Sequence, residues 1–139
     1  MKLYVDSNIF LNYFLDEFGP IETFSSFRAE EFFTKASEGN IQIIVSNLVI
    51  SEITDVSSLD EKDVKKFLLT IHAKLENVTP NDVNKAKEVS KKYGLHLRDA
   101  IHTVMALQTG CDAVVTRNLK DFNKVSDLIK ALKPEELNI

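Results

Sequence analysis

Short strand-like runs alternate with helix-like segments along the whole of this chain, and no linker, repeat or low-complexity tract interrupts them. Residues 3–5 read as a strand and residues 8–15 as a short helix behind it. Residues 24–38 read as a helix with apolar positions at Phe24, Phe27, Phe32, Phe33 and Ala36, stopped by Gly39 and Asn40. Residues 41–45 give the second strand, and Ser46 or Asn47 is placed to cap a helix over 48–56. Asp60 caps a helix running to about His72, and residues 75–78 are a weaker strand candidate. Thr79 and Pro80 start the next helix, which Gly94 terminates. Residues 97–109 form another helix, ended by Gly110, and the apolar run 113–115 reads as a strand buried on both faces. A terminal helix over 124–132 closes the chain. Strands alternating with helices imply an α/β fold, a three-layer α/β/α sandwich around a mainly parallel sheet.

With 139 residues the chain fits one domain, 1–139. A chain of this size buries roughly 70% of its unfolded surface. No apolar run approaches the roughly 18 residues that span a membrane. The N-terminus enters a strand directly after Lys2, without the apolar core of a signal peptide, so the cytoplasm is the default compartment. A single cysteine, Cys111, excludes an internal disulfide and a cysteine-based zinc cage, and it reads as a buried packing residue. The net charge of −4 does not announce a nucleic-acid binder. A site built from carboxylates lowers that number by itself, and a bound divalent ion offsets it locally.

Four acids sit just past or just inside the apolar runs: Asp6, Glu52, Asp99 and Asp121. On a parallel sheet, ligands bind beyond the carboxyl ends of the strands, where Asp6 and the segment 116–121 would lie. Gathered carboxylates are hard oxygen ligands for Mg²⁺ or Mn²⁺, ions that drive phosphodiester hydrolysis, so a metal-dependent nuclease is the leading reading. Each acid also has a plain structural role to weigh. Asp6 can cap the first helix, but Ser7 or Asn8 can do so in its place. Glu52 can be a solvated helix residue, although its neighbours Leu48, Val49, Ile50 and Ile53 place it on a packed helix facing a cleft. Asp99 lies in a first helical turn, where the helix dipole stabilises its charge and is expected to lower its pKa. Asp121 can be a surface acid and Asn118 a turn residue. Thr116 is placed to hydrogen-bond to Asp6. His96 and His102 are six apart, which is not one helical repeat, so zinc is disfavoured; His102 reads as a partly buried helix residue. Arg98, Arg117, Lys120 and Lys124 are either ordinary surface charge or phosphate contacts. No Gly-rich phosphate loop and no serine nucleophile elbow is present.

Taken in order, Val5-Asp6-Ser7-Asn8, Ser51-Glu52, Arg98-Asp99-Ala100 and the segment from Thr116 to Phe122 resemble the PIN domain, the nuclease fold of many prokaryotic toxins of the VapC kind. The resemblance covers essentially the whole chain. It implies about five parallel strands, with Mg²⁺ or Mn²⁺ held by Asp6, Glu52, Asp99 and Asp121, and with Ser7, Asn8 and Thr116 in support. It implies an endoribonuclease that hydrolyses RNA through metal-activated water, with Arg98, Arg117 and Lys120 on the RNA phosphates. A homodimer and an antitoxin protein that lays an arginine across the carboxylates complete the implied picture. One departure stands out: Asn118 occupies a position where many members carry an aspartate, leaving Asp121 as the acid there, so either Asn118 or Asp121 is the fourth candidate metal ligand. Asn118 and the acidic net charge motivate a competing reading, a PIN-like interaction module with weak or lost catalysis. The stretch 16–27 reads as a partner-facing loop, and the aromatic-rich region 18–33 (Phe18, Phe24, Phe27, Phe32 and Phe33) as an interface.

Overall fold

The computed structural model describes residues 1–15 and 24–137. Five strands, β1 (Lys2–Val5), β2 (Gln42–Ser46), β3 (Lys74–Glu76), β4 (Ala113–Val115) and β5 (Lys130–Leu132), form one sheet in the order β3-β2-β1-β4-β5. Every neighbouring pair is parallel, with Tyr4 opposite Ile44 on one side and Val114 on the other. The three inner strands are apolar on both faces, and Leu3, Val5, Ile43, Val45 and Val114 are wholly buried. Parallel strands need long crossovers, and helices supply them.

The first crossovers run through α1 (Ser7–Phe14), α2 (Phe24–Ser37), α3 (Asn47–Val56) and α4 (Glu61–Thr70). The chain then returns past β1 through α5 (Pro80–Tyr93) and α6 (Leu97–Gln108) to reach β4. Right-handed crossovers put these two helix sets on opposite faces of the sheet, which gives three layers. α1 packs on α2 and α3, while α5 packs on α6, which lies across β1, β2 and β4. On the α1–α4 side, Phe10, Tyr13, Phe14, Phe33 and Phe67 form one aromatic cluster, with Phe10 and Phe33 ring centroids 4.9 Å apart. α5 opens with a capping box between Thr79 and Asp82 and closes at Gly94, whose left-handed φ of 71° separates it from α6. Because the winding direction reverses at β1, a crevice opens between the carboxyl ends of β1 and β4.

Two expectations change. The segment 124–132 is not a terminal helix: a short α7 (Leu119–Phe122) runs into a single 3₁₀ turn over Asn123–Val125, and β5 follows. Val125, Leu128, Ile129 and Leu132 have helical spacing, but pairing of Ala131 with Val114 in the sheet outweighs that local pattern. The aromatic surface also shrinks. Phe32 and Phe33 are core residues, and the exposed ones are Phe24 and Phe27, which the Arg28 guanidinium covers. Phe18 and most of the stretch 16–27 lie outside the described residues.

Candidate metal centre

Asp6 ends β1 at the mouth of this crevice and is itself the N-cap of α1, its Oδ1 accepting from the Ser7 amide at 2.8 Å. Ser7 and Asn8 leave that role to it, because the helix starts at Ser7 and the carboxylate one residue earlier is in reach of the first amide. Its Oδ2 accepts from Thr116 Oγ1 at 2.7 Å and from Asn8 Nδ2 at 3.2 Å. Asn8 also donates to Thr116 Oγ1 and accepts from the Arg117 amide, so it stitches the end of β1 to the end of β4. Asp6 is thereby held in one orientation, and only 6% of its surface is exposed.

Glu52 leaves α3 and His102 leaves α6 to meet at the same place. His102 Nε2 lies 2.8 Å from Glu52 Oε1 and 3.9 Å from Asp6 Oδ1. Asp6, Glu52 and His102 each offer one donor atom within 4.8 Å of the others. His102 is fully buried, and its other nitrogen, Nδ1, is 2.6 Å from the Tyr4 hydroxyl, which is 2.8 Å from Ser46 Oγ. Ser46 spends its hydroxyl there and Asn47 accepts from the Val78 amide, so neither side chain caps α3. Burial pushes Glu52 up, but the His102 hydrogen bond and charge more than offset it and lower its pKa. Burial pushes His102 down, yet the bond to Glu52 and the charges of Asp6, Glu52 and Asp99 leave it raised.

Asp99 stands in the first turn of α6, half-buried. Contrary to the dipole expectation its pKa is raised, first by burial and then by the charge of Asp6, with Asp121 adding to it. Burial, with the like charges of Asp6 and Asp121 beside it, outweighs the helix dipole. Asp121, in α7, accepts from Asn118 Nδ2 at 2.8 Å, which holds its carboxyl below the usual range, and Lys124 sits 3.6 Å away. Arg98 is exposed and close enough for its charge to lower Glu52, and Lys120 is exposed as well. Arg117 turns away to Glu135, 2.6 Å from its Oε2.

These donors fit a hard divalent cation. One carboxylate oxygen each from Asp6 and Glu52 converges with a His102 ring nitrogen, and Asp99, half-buried, is near enough for the charge of Asp6 to act on it. The closest donor group contains His102, which sequence reasoning left as a helix residue. The signal for it was a titratable side chain inside the otherwise uncharged run from Ala100 to Ala106, about one helical turn after Asp99 on the same face.

The family model for the PIN domain matches residues 3–128. The chain belongs to the PIN domain family. This PIN domain is similar in structure to a toxin–antitoxin complex from Klebsiella pneumoniae, with a TM-score of 0.66 at 21% identity over 95% of this chain and 97% of that one. It is also similar to VapBC-1 from nontypeable Haemophilus influenzae, with a TM-score of 0.62 at 16% identity over 97% and 99% of the two chains. VapBC2 from Rickettsia felis, bound to a DNA fragment from its promoter, gives a TM-score of 0.61 at 18% identity over 94% and 97%. At such identities the likeness establishes the shared PIN fold. Comparison with curated proteins gives no match. Among the described residues no helix is long and apolar enough to cross a membrane.

Proposed function

We propose that this PIN domain is an endoribonuclease dependent on Mg²⁺ or Mn²⁺, acting in the cytoplasm as the toxin of a toxin–antitoxin pair. The observation that carries this reading is the convergence of Asp6 and Glu52, with Asp99 close enough to feel the charge of Asp6, at the crevice between β1 and β4. Asp6, Glu52 and Asp99 would hold the ion, with Asp121 and Asn118 at the rim. A divalent ion there supplies the charge that activates water and stabilises the leaving oxygen of a phosphodiester. The chain's own residues do the positioning. Thr116, Asn8 and the Ser7 amide fix Asp6, and the cleft keeps Glu52 partly shielded from solvent. Arg98 and Lys120 are exposed for RNA phosphates, whereas Arg117 must first release Glu135.

The similar structures are toxin–antitoxin complexes, which supports an antitoxin partner here. An arginine from that partner would suit the acidic crevice, replacing the ion's charge in a bidentate pair. A homodimer is part of the same proposal, with exposed Phe24 and Phe27 as its candidate surface. Purified protein is expected to cleave RNA with Mg²⁺ or Mn²⁺ and to stop on chelation. Cleavage that survives both EDTA and Asp6→Asn would overturn the reading. Sedimentation as a strict monomer at tens of micromolar would remove the dimer.

A further inference from the structure

We propose that His102 is a positioning residue that fixes the Glu52 carboxylate at the cation site and does not itself ligate the ion, an inference that rests on the metal-nuclease reading above. Both ring nitrogens are already engaged. Nε2 meets Glu52 Oε1 at 2.8 Å, and Nδ1 meets the Tyr4 hydroxyl at 2.6 Å. The Tyr4 hydroxyl in turn meets Ser46 Oγ at 2.8 Å, and Tyr4 and Ser46 are both completely buried. The Tyr4 ring packs against the imidazole with centroids 5.5 Å apart, so the ring plane is fixed as well as its ends.

The proton assignment at Nε2 follows from this chain of bonds. An ionised carboxylate only accepts, so Nε2 must carry the proton in its bond to Glu52. Two arrangements satisfy the rest. Tyr4 donates to Nδ1 and accepts from Ser46, or Nδ1 donates to Tyr4, which then donates to Ser46. In both, an N–H at Nε2 points at Glu52. A ligand role at Nε2 would break that bond, and Nδ1 faces Tyr4 inside the core. The link also spans layers: Glu52 belongs to α3 and His102 to α6, on opposite faces of the sheet. A glutamate has three rotatable bonds to immobilise, and the buried Ser46–Tyr4–His102 series holds its far end from the rigid ends of β1 and β2. Residues that orient metal ligands in this way typically change metal affinity about 10- to 100-fold when removed.

The test is calorimetric titration of the metal-free protein with Mn²⁺ and, separately, Mg²⁺, on the wild type, Tyr4→Phe, His102→Ala and His102→Gln. Circular dichroism checks folding, and Tyr4→Phe keeps the buried ring where His102→Ala risks a cavity. His102→Ala is expected to weaken both ions by the same factor, on the order of 10-fold or more. Tyr4→Phe should weaken both by a smaller common factor, and His102→Gln, whose amide can still donate to Glu52, should recover part of the loss. In the ¹⁵N-labelled protein the Nε2–H signal should persist when Mg²⁺ binds. A loss of Mn²⁺ binding far exceeding that of Mg²⁺, or disappearance of the Nε2–H signal on loading, would make His102 a ligand and overturn the proposal. Folded variants that bind both ions like the wild type would overturn it alone. A wild type that binds neither ion would overturn the metal reading of the site, and the proposal with it.

Discussion

Asp82 and Asp99 occupy the same place in successive helices, the third residue after the cap, yet their environments pull them in opposite directions. Asp82 closes a capping box: its carboxylate accepts from the Thr79 amide at 2.8 Å and from Gln108 Nε2 at 2.7 Å, and those bonds lower its pKa, the Thr79 amide most of all. It is buried and satisfied. Asp99 follows His96, whose side chain makes no cap bond, and its own carboxyl is raised by burial and by Asp6 and Asp121. One position in a helix thus serves structure when donors surround it and gathers toward a site when acids do. The local rule for an acid in the first turn is the same in both; the neighbours decide which outcome wins.

The comparison breaks first on activity. Asp99→Asn is expected to lower RNA cleavage by more than about 100-fold, beyond the usual effect of an outer residue. Asp82→Asn should leave cleavage near wild type at a temperature where the protein stays folded. Equal losses in the two variants would dissolve the distinction.

Stability should move the other way. Asp82→Ala removes half of the capping box and the bond to the exposed Gln108, a cost of roughly 0.5–2 kcal/mol, read as a Tm several degrees lower. Asp99→Asn, in the metal-free protein, should raise Tm slightly because it removes a crowded charge. A lower Tm for Asp99→Asn would show that its carboxylate is structural after all.

The finest test is the pH dependence of those differences. Unfolded, both aspartates titrate near about 3.9. Asp82 has a lower folded pKa, so its stabilisation is complete above that ordinary value and is lost as pH falls through the folded one. The Tm gap between wild type and Asp82→Ala should therefore be wide at about pH 6 and narrow toward about pH 3. Asp99 has a raised folded pKa, so its penalty is full above the folded value and gone below about 3.9. The small Tm gain of Asp99→Asn should fade over that more acidic range, and a gain that persists there would assign the effect to something other than charge.

The inner strands were legible because burial on both faces writes an unbroken apolar run, as in the segment 113–115. β5 was not, since three residues at a sheet edge, with Lys130 exposed, carry no such signature and the helical spacing around them points elsewhere. Asp6 and Thr116 could be placed near one another because each follows a strand, and strand ends meet in a parallel sheet. The role of His102 depends on Glu52, fifty positions away, and on Tyr4, ninety-eight away, and no local pattern encodes such contacts. The same limit applies to the aromatics of α2: helical periodicity locates a face, but only the packed structure shows that Phe33 joins Phe10 and Phe67 while Phe27 stays outside.

The central position of β1 has a consequence for how the molecule comes into being. β1 is made long before β4, with which it pairs on one edge, and Asp6 waits for Thr116, 110 residues later. At synthesis rates of about 5–20 residues per second, the nascent chain spends roughly 5–20 s with the first acid made and its partner not yet made. Non-local pairing of this kind is also intrinsically slow to form. The crevice therefore cannot close until β4 and Thr116 have been made, so the first acid of the site is synthesised well before the residue that holds it in place.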